Sequence, residues 1–514
     1  MADSPHHVPR YPKSLWRDIQ GLPEFPALAG DFEADVTIVG AGTTGLTAAY
    51  LLSKQGVKVA LIEAGRILDG TTGYTTAKIS SQHGVMYDDL ITNFGLEKAR
   101  LYYEANEEAL AFIRNTAEEL NIDCDLTTEN AYAYTTENKS VSKFEKELKA
   151  YQDIGINGGE ALNEIELPYS VEAALVIRNQ AQFHPVKFFA GLVPSIEENG
   201  GRIFEQTRAA KVKGSKNPSI ETTEGHTINS RHVIVSSHFP FNDEEGLYFS
   251  RLHAERSYTL AVTTEKKPPK GMYLSVDSPG KSLRYAKSSE GDDLMILGGE
   301  GHTAGKNKEN TFNNYERLRE YGEKHFGITS IPYRWSAQDL ITLDKVPYIG
   351  PAVTGKPNVF VATGYAKWGM SNGVAAALLL SDLVQEKNNR FADLFDPRRT
   401  KLKKADALSF FKENMDVGKE MIAGKLHRKD QKLEDLENDE GALVTQKGKK
   451  IGAYKDENGH THMVSTTCTH MGCDVEWNNA ERSWDCPCHG SRFSYDGSIL
   501  EGPAVTPLKK LDNN

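Results

Sequence analysis

Cysteine, positive charge and long apolar runs are all scarce in this sequence. The 514 residues contain 5 cysteines. They carry 60 lysines and arginines against 71 aspartates and glutamates, and the net charge of −11 argues against a nucleic-acid-binding protein, which would show a basic face. The longest plain apolar run, residues 374–380, is far too short to cross a bilayer, and the N-terminus lacks the basic start and apolar core of a signal peptide. We therefore expect a cytoplasmic protein with no membrane span and no nucleic-acid partner.

The few cysteines are concentrated, since four of the five fall within residues 468–488. There Cys468 is followed by His470, and Cys486 by His489. One thiolate and one imidazole on each of two segments suit a [2Fe–2S] cluster in which two cysteines hold one iron and two histidines the other. Structural zinc sites usually separate paired ligands by two or more residues, so the C-x-H spacing fits zinc poorly. Plain disulfides would leave both histidines unexplained. The spacing therefore favours an iron–sulfur cluster.

This stretch resembles the Rieske iron–sulfur signature. The likeness continues through residues 490–493, which read GSRF, and residues 502–504, which read GPA. The resemblance implies a small all-β domain that binds a [2Fe–2S] cluster. The ligands that it implies are Cys468, His470, Cys486 and His489.

A second pair of cysteines, Cys473 and Cys488, accompanies these ligands. The matching pair in respiratory and photosynthetic Rieske proteins bridges the two loops, so the resemblance implies a disulfide. Two free thiols are the alternative, because cytoplasmic chains are normally kept reduced. In high-potential Rieske proteins a tyrosine hydroxyl donates to a ligand sulfur, and here Phe493 occupies that place while the Ser491 hydroxyl remains. Loss of one donor lowers the reduction potential, so we expect an intermediate value.

A separate pattern lies between residues 35 and 63, where an apolar strand, a glycine-rich turn, a helix and a second strand follow one another. Gly40 permits the tight turn, Gly42 lets a pyrophosphate approach the helix N-terminus, and Gly45 allows close helix–strand packing. Glu63, at the end of the second strand, suits the ribose hydroxyls. This context predicts a dinucleotide site. Neighbouring residues assigned to the same site are Thr43, Thr44 and Ala64.

Two further segments resemble the D-amino-acid-oxidase-like FAD oxidoreductases, the group that contains glycine and sarcosine oxidases. Residues 70–78 match the hydroxyl-rich flavin-binding loop, and residues 359–373 match a strand and glycine turn that open a helix against the flavin. Two glycine-rich turns that fit one family favour FAD over NAD. Some relatives attach FAD through a histidine where this chain has Tyr74, so the resemblance implies non-covalent FAD. The further FAD-binding residues that it implies are Thr71, Thr72, Thr76, Ala77, Val212, Gly364, Trp368, Gly369, Met370 and Ser371.

The chain departs from the family near the second turn. Many amino-acid-oxidising relatives carry an arginine in a W-x-G-x-R-P motif where this chain has Asp339, which argues against an ordinary α-amino-acid substrate. Arg284 and Tyr285 are candidates to anchor an anionic substrate, and His83 and Lys367 are candidates to lie near the flavin. A surface charge or a satisfied interior hydrogen bond is the alternative for each of the four.

The predicted fold is an α/β FAD-binding domain of Rossmann-like, glutathione-reductase type, with an α+β substrate domain and a small all-β Rieske domain. The FAD-binding domain is discontinuous, because the substrate domain is inserted into it. The predicted boundaries are 1–34 for an N-terminal arm; 35–84, 181–240 and 341–395 for the FAD-binding domain; 85–180 and 241–340 for the substrate domain; 396–440 for a charged connector; and 441–514 for the Rieske domain.

The union of flavin and cluster predicts an FAD-dependent oxidoreductase. We expect it to oxidise a small amine or amino-acid-like substrate and to pass electrons one at a time to the cluster, and from there to a protein or quinone acceptor. An electron-transfer or redox-sensing protein without amine turnover is one alternative. A Rieske oxygenase is another, but it would need a mononuclear iron site with two histidines and a carboxylate. Reversed electron flow is a third alternative that stays open.

Overall fold

A computed structural model of the chain describes residues 6–306, 309–399, 432–446 and 448–512. The strands in these ranges are β1 (Phe32–Glu33), β2 (Val36–Val39), β3 (Val59–Ile62), β4 (Lys78–Ile79), β5 (Thr127–Thr135), β6 (Gly158–Glu160), β7 (Ala173–Gln182), β8 (Arg202–Phe204), β9 (Ala209–Lys213), β10 (Ser219–Thr222), β11 (Thr227–Asn229), β12 (His232–Val235), β13 (Leu252–Thr264), β14 (Met272–Ser275), β15 (Lys281–Lys287), β16 (Asp293–Thr303), β17 (Ile328–Thr342), β18 (Tyr348–Pro351), β19 (Val359–Thr363), β20 (Glu440–Gln446), β21 (Lys449–Lys455), β22 (Thr461–Ser465), β23 (Glu476–Asn478), β24 (Ser483–Asp485), β25 (Arg492–Ser494), β26 (Ile499–Glu501) and β27 (Lys510–Leu511).

The helices of the same ranges are α1 (Thr43–Lys54), α2 (Tyr87–Phe94), α3 (Leu96–Glu119), α4 (Val141–Ile154), α5 (Pro185–Gly191), α6 (Val193–Glu198), α7 (Asp243–Gly246), α8 (Phe312–Phe326), α9 (Gly369–Val384) and α10 (Ala392–Phe395). Each of them is too short or too polar to span a lipid bilayer.

A six-stranded sheet with the order β18-β19-β12-β2-β3-β8 organises the first domain. Its central strands are apolar and buried along their whole length, as parallel strands covered on both faces should be. Only β18 runs antiparallel, to β19. Helices α1 and α9, which follow β2 and β19, pack against each other, and a four-stranded sheet (β1-β11-β10-β9) completes the domain. The predicted α/β domain of Rossmann-like type is confirmed.

A nine-stranded mixed sheet forms the second domain. Its order is β17-β13-β16-β15-β14-β5-β7-β4, with β6 added beside β7. Helices α2, α3 and α4 pack on one another, and α8 packs on β13 and β16. The predicted α+β domain is confirmed.

Two small antiparallel sheets, β20-β21-β22-β27 and β23-β24-β25-β26, form the C-terminal region. Val464, Trp484 and Phe493 are fully buried in a core that also contains cysteine side chains. The predicted all-β domain is confirmed. Most of the predicted connector, residues 400–431, lies outside the described residues.

The N-terminal arm, described from residue 6, reaches both of the other regions. The Trp16 indole Nε1 donates to the Thr75 carbonyl in the hydroxyl-rich loop at 2.6 Å. Arg334 on β17 is fully buried, and its guanidinium donates to the carbonyl oxygens of Pro9 and Arg10 in the arm and, at 3.0 Å, to that of Ala480 in the C-terminal domain. One side chain therefore joins the arm, the large sheet and the last domain.

Candidate functional site

A cavity of about 1000 Å³ lies where the three domains meet. Its wall contains residues 39–44 of the first glycine turn, residues 365–370 of the second, and Ser336, Ala337, Asp339 and Leu340 near the end of β17. Residues 499–505 of the C-terminal domain complete it. Segments far apart in sequence therefore enclose one space large enough for a cofactor and a small substrate.

The first glycine turn has the close backbone packing that a dinucleotide site needs. Gly40 has φ +100°, and a Cβ there would lie 2.7 Å from the Ser236 carbonyl oxygen. A Cβ on Gly45 would lie 1.8 Å from the carbonyl oxygen of Gly40. Gly42 precedes α1 and lines the cavity, so backbone N–H groups at the helix N-terminus face the space where a pyrophosphate would lie.

Glu63 is oriented by two backbone donors. Its Oε2 accepts from the Ala41 N–H and its Oε1 from the Gly65 N–H, both at 2.9 Å. Burial raises the pKa of this carboxyl, while the bonds from Gly65 and Ala41 and the nearby Arg208 guanidinium act in the opposite direction. Glu63 lines the cavity, so its remaining lone pairs are available to ribose hydroxyls. These residues fit FAD.

The two glycine turns meet through hydroxyl groups. The Thr72 hydroxyl accepts from the Thr43 N–H at 3.1 Å, which ties the hydroxyl-rich loop to the start of α1. The hydroxyls of Thr44 and Tyr365 are 2.7 Å apart and join α1 to the second turn. Trp368 caps α9 and lines the cavity beside them. Segments about 320 positions apart are thus parts of one site.

Most of the predicted FAD-binding residues line the cavity, but five lie behind its wall. Val212 lies outward along β9, whereas Arg208 and Ala209 reach the cavity. The sequence reasoning missed these two and residues 236–239, which follow β12. The sequence could have indicated residues 236–239, because they follow β12 of the parallel sheet and the carboxyl ends of parallel strands lie at one edge of a sheet. The predicted residues in the lining are Gly40, Gly42, Thr43, Thr44, Glu63, Ala64, Thr71, Thr72, Thr76, Trp368, Gly369 and Met370; those behind it are Gly45, Ala77, Val212, Gly364 and Ser371.

Arg284 and Tyr285, the candidate anchors for an anionic substrate, lie outside the cavity lining. The buried Arg284 guanidinium donates to the carbonyl oxygens of Thr76 at 3.2 Å and of Ala77 at 2.5 Å, so it supports the hydroxyl-rich loop from behind. The Tyr285 hydroxyl donates to the Glu129 carboxylate. The structure therefore does not bring these two residues to the site.

His83 and Lys367, the candidates for the flavin vicinity, both line the cavity. The His83 imidazole stacks on Trp368 at 4.5 Å between ring centroids, and its Nδ1 is 2.6 Å from the Tyr102 hydroxyl. Burial lowers the pKa of His83 to about 3, so the ring is neutral and supports Trp368. The Lys367 ammonium lies 2.9 Å from Glu255 Oε2.

The four predicted cluster ligands come together on two loops of the C-terminal domain. The Cys468 and Cys486 thiols interact, which lowers the pKa of Cys468 to about 7 and raises that of Cys486. The imidazoles of His470 and His489 lie 5.1 Å apart between centroids. The buried Nδ1 of His489 has no hydrogen-bond partner among the described residues, as expected for a nitrogen that binds a metal. This donor set fits a [2Fe–2S] cluster with two thiolate and two imidazole ligands.

The second cysteine pair is a disulfide. Cys473 and Cys488 are bonded, which joins the two ligand loops and confirms the bridge over the free thiols. The sulfur atoms of this pair and of Cys486 all lie within 4.8 Å of one another, so the bridge sits beside the cluster ligands. The Ser491 hydroxyl hydrogen-bonds the Cys468 sulfur, while Phe493 is fully buried in the same core.

The ligand histidines face the rest of the chain. The Phe249 ring lies 5.8 Å from His470 and 5.2 Å from His489, between centroids. On β17, the Gln338 amide Nε2 donates to the carbonyl oxygen of Gly490, the residue after His489, at 2.8 Å. Strand β17 therefore contacts both the cluster loops and the cavity.

Comparisons with known proteins agree with this geometry. Residues 35–383 match the family described as FAD dependent oxidoreductase (DAO), and residues 428–512 match the Rieske [2Fe-2S] domain. The chain is similar to YhfW of Bacillus subtilis (strain 168), a Rieske 2Fe-2S iron-sulfur protein by name, with 46% identity over 509 residues and 99% of each chain covered.

Two more distant relatives cover less of the chain. Gamma-glutamylputrescine oxidoreductase of Escherichia coli (strain K12) is 24% identical over 383 residues, 71% of this chain and 87% of the relative. The crystal structure of glycine oxidase from Geobacillus kaustophilus superposes with a TM-score of 0.60 at 19% identity, covering 72% of this chain and 99% of the other. The chain therefore belongs to the FAD dependent oxidoreductase (DAO) family, as an oxidoreductase with FAD as its cofactor and a Rieske domain that binds a [2Fe–2S] cluster.

Proposed function

We propose that this oxidoreductase is a dehydrogenase that oxidises a small amine or amino-acid-like substrate in the cavity and delivers the electrons, one at a time, to its own Rieske cluster. When bound, FAD supplies a two-electron acceptor and the [2Fe–2S] cluster a one-electron carrier. The observation that carries the proposal is the shared wall, because residues 499–505 of the Rieske domain line the cavity that holds the flavin-binding turns.

The chain's own side chains provide a short connection between the two sites. Gln338 contacts the loop that carries His489, and its neighbours Ala337 and Asp339 line the cavity. Phe249 packs on both ligand imidazoles and fills the space beside them with an aromatic ring. Because protein atoms pack between the two redox sites, electrons can pass from one to the other within the chain without a diffusing carrier.

The substrate would lose two electrons and two protons. One hydrogen leaves the carbon beside the nitrogen with both bonding electrons, and one proton leaves the nitrogen, so that the product is an imine that water can hydrolyse. The similarity to gamma-glutamylputrescine oxidoreductase, whose name gives an amine-containing substrate, supports this class. Tyr74 lines the cavity at the place where some relatives attach FAD through a histidine, and the lack of that histidine supports non-covalent FAD.

Anaerobic mixing tests the proposal. The protein with both cofactors is mixed with amines, N-methyl amino acids and hydroxy acids while the flavin absorbance and the EPR signal of the reduced cluster are followed. We expect at least one amine to bleach the flavin and a reduced-cluster signal to follow. Bleaching without a cluster signal would contradict transfer to the cluster. A flavin that no amine bleaches would favour an electron-transfer or redox-sensing protein. Reoxidation by quinones or by carrier proteins then identifies the acceptor class.

A further inference from the structure

Two adjacent side chains of strand β17, Gln338 and Asp339, reach the two sites. Gln338 is 1% exposed and binds the Rieske loop at Gly490. Asp339, the next residue, lines the cavity on the opposite face. The Ala366 N–H donates to the Leu340 carbonyl at 3.0 Å, so the strand at Asp339 is tied to the turn that precedes α9. Asp339 therefore lies in the substrate space beside the predicted flavin-binding turn.

The carboxyl group of Asp339 has no partner within the described part of the chain. It makes no hydrogen bond or ion pair with any residue that the structure describes. On the adjacent strand β13, Glu255 stands directly opposite, and like charges in that relation repel. The nearby Lys367 ammonium is paired with Glu255, 2.9 Å from its Oε2. The cross-strand pair therefore has two carboxylates and one cation.

The other charges around Asp339 balance each other. Arg492 lies 3.0 Å from Glu501 and 3.3 Å from Asp485, and Arg256 lies 3.5 Å from Glu501 and 3.9 Å from Asp485. These are two cations and two anions in one network. Burial raises the pKa of Asp339 to about 6, so the carboxyl group is ionised at pH 7. Its negative charge is the one that no cation in this group balances.

Lys78 does not compensate for this charge. It also lines the cavity, but its ammonium donates to the Tyr273 carbonyl at 3.0 Å and to the Ser282 hydroxyl. Burial lowers the pKa of Lys78 to about 7, so it is only partly charged near neutral pH. An enclosed carboxylate without a partner costs stability, and a cationic ligand removes that cost.

We propose that Asp339 binds a protonated amine or guanidinium group of the substrate, one that is separate from the nitrogen being oxidised. The inference rests on the proposed amine oxidation and specifies its substrate class. The reacting nitrogen needs a free lone pair when the neighbouring carbon loses its hydride, so the charged group held by the carboxylate is a second one. Diamines, polyamines and guanidino amines have this character.

Binding to the full-length protein with FAD and cluster tests the inference. The probes are 1,4-diaminobutane, 1,4-butanediol and butanedioate, which have equal chain length and end in ammonium groups, hydroxyls and carboxylates, respectively. Isothermal titration calorimetry at pH 7.5 should show the diamine binding about tenfold more tightly than either other compound, as one charge-assisted contact provides. Equal affinity of the three, tighter binding of butanedioate, or no binding of the diamine would overturn the inference.

Two substitutions of Asp339 and one control substitution show whether the preference for the diamine depends on this carboxylate. Asp339→Asn should remove the preference for the diamine, and Asp339→Glu should keep part of it. Asp293→Asn, an exposed carboxylate paired with Lys287 on the same sheet, should leave it unchanged. Asp339→Asn should also raise the melting temperature at pH 8 by a few degrees, because it removes an unpaired enclosed charge. A lower melting temperature together with an unchanged preference would show a structural role and overturn the inference.

The same titrations separate the inference from the proposed function. Diamine binding that depends on Asp339 but never bleaches the flavin would refute amine oxidation and leave the cation site intact. Bleaching by butylamine and diamine alike, in the wild type and in Asp339→Asn, would leave amine oxidation intact and refute the cation site.

Discussion

The two cofactor sites of this chain are built in opposite ways. The cluster site is local, with its predicted ligands on two loops within residues 468–489 that the disulfide joins. The flavin cavity is assembled from strand ends and turns of all three domains, including residues 499–505. A local site depends on a few side chains, whereas an assembled site depends on the relative positions of whole segments. The following experiments test this difference, beginning with the largest expected effect.

Removal of one cluster ligand should abolish only one of the two sites. In Cys486→Ser we expect complete loss of the cluster EPR signal, because a serine hydroxyl does not replace a thiolate on iron. The FAD content per chain should stay near that of the wild type, since the disulfide still joins the loops. Cys124→Ser, at a buried free cysteine of the first two domains, is the control and should keep both cofactors. Joint loss of FAD and cluster from Cys486→Ser would show that the cluster site is not local.

Gly45→Ala changes the predicted FAD site and leaves the cluster site intact. A Cβ at this position would meet the Gly40 carbonyl oxygen at 1.8 Å, so the turn or the helix must shift. Overpacking of this kind costs about 1–3 kcal/mol, and we expect FAD affinity to fall by roughly tenfold or more with iron content unchanged. Gly30→Ala is the control, because nothing lies within 4 Å of its added Cβ. Full FAD retention in Gly45→Ala, measured by absorbance per chain, would contradict the role of the turn.

Gln338→Leu tests the contact between the sites. The substitution removes the hydrogen bond to Gly490 and leaves the buried Arg256 guanidinium without one acceptor. We expect internal electron transfer to slow by about threefold to tenfold while flavin reduction by substrate is unchanged. Stopped-flow absorbance separates the two phases. Gln385→Leu, at the far end of α9, should change neither rate. Equal slowing of both phases would instead indicate a general loss of structure.

The cavity, unlike the cluster loops, should respond to mild acid through Asp339. Its carboxyl has a pKa raised to about 6 by burial; Glu255 and Glu501 act in the same direction, and Lys367 and Arg256 oppose them. The ionised form that binds a cation is present above this pKa and is lost as pH falls through it. Affinity for 1,4-diaminobutane should therefore fall about tenfold per pH unit below 6. A pH-independent affinity between 5 and 8 would contradict this assignment.

The smallest effect is expected within the cluster site itself. Phe493 is fully buried in the core that contains Cys468 and Cys486, and Ser491 is the hydroxyl that hydrogen-bonds the Cys468 sulfur. Phe493→Tyr offers a second donor and should raise the midpoint potential by tens of millivolts, and Ser491→Ala should lower it. Protein-film voltammetry measures both shifts. A wild-type potential at the top of the range of about −150 to +300 mV would contradict the expected intermediate value.

Prediction from sequence succeeded where chemistry depends on short spacing. The four predicted cluster ligands rest on two Cys/His pairs, whose imidazoles lie 5.1 Å apart between centroids, and Glu63, which ends the strand after a glycine turn, lines the cavity. The fold class followed from the same local patterns. The disulfide came from family resemblance, since spacing alone left free thiols possible.

Prediction was weaker where tertiary packing decides. Val212 on β9 was predicted to bind FAD, but the cavity is lined by Ala209 at the start of this strand and by Arg208 just before it. Arg284 was a candidate substrate anchor, yet the structure directs its guanidinium to backbone carbonyls of the hydroxyl-rich loop. The sequence could not predict that residues of the Rieske domain line the cavity, because the residue pattern of a single domain does not show how that domain docks on another.

The contacts of Arg334 link the folding of the FAD-binding part of the chain to that of the Rieske domain. Residues 9 and 10 leave the ribosome long before residue 480, yet all three supply acceptors to this guanidinium. A chain that ends before residue 480 would lack one of the three carbonyl acceptors of this guanidinium, a loss that favours unfolding and proteolysis. Chains that persist would then contain both modules, so flavin and cluster domains would be produced in equal numbers. Covalent fusion fixes the ratio of the two domains, and Arg334 makes their correct docking a condition of stability.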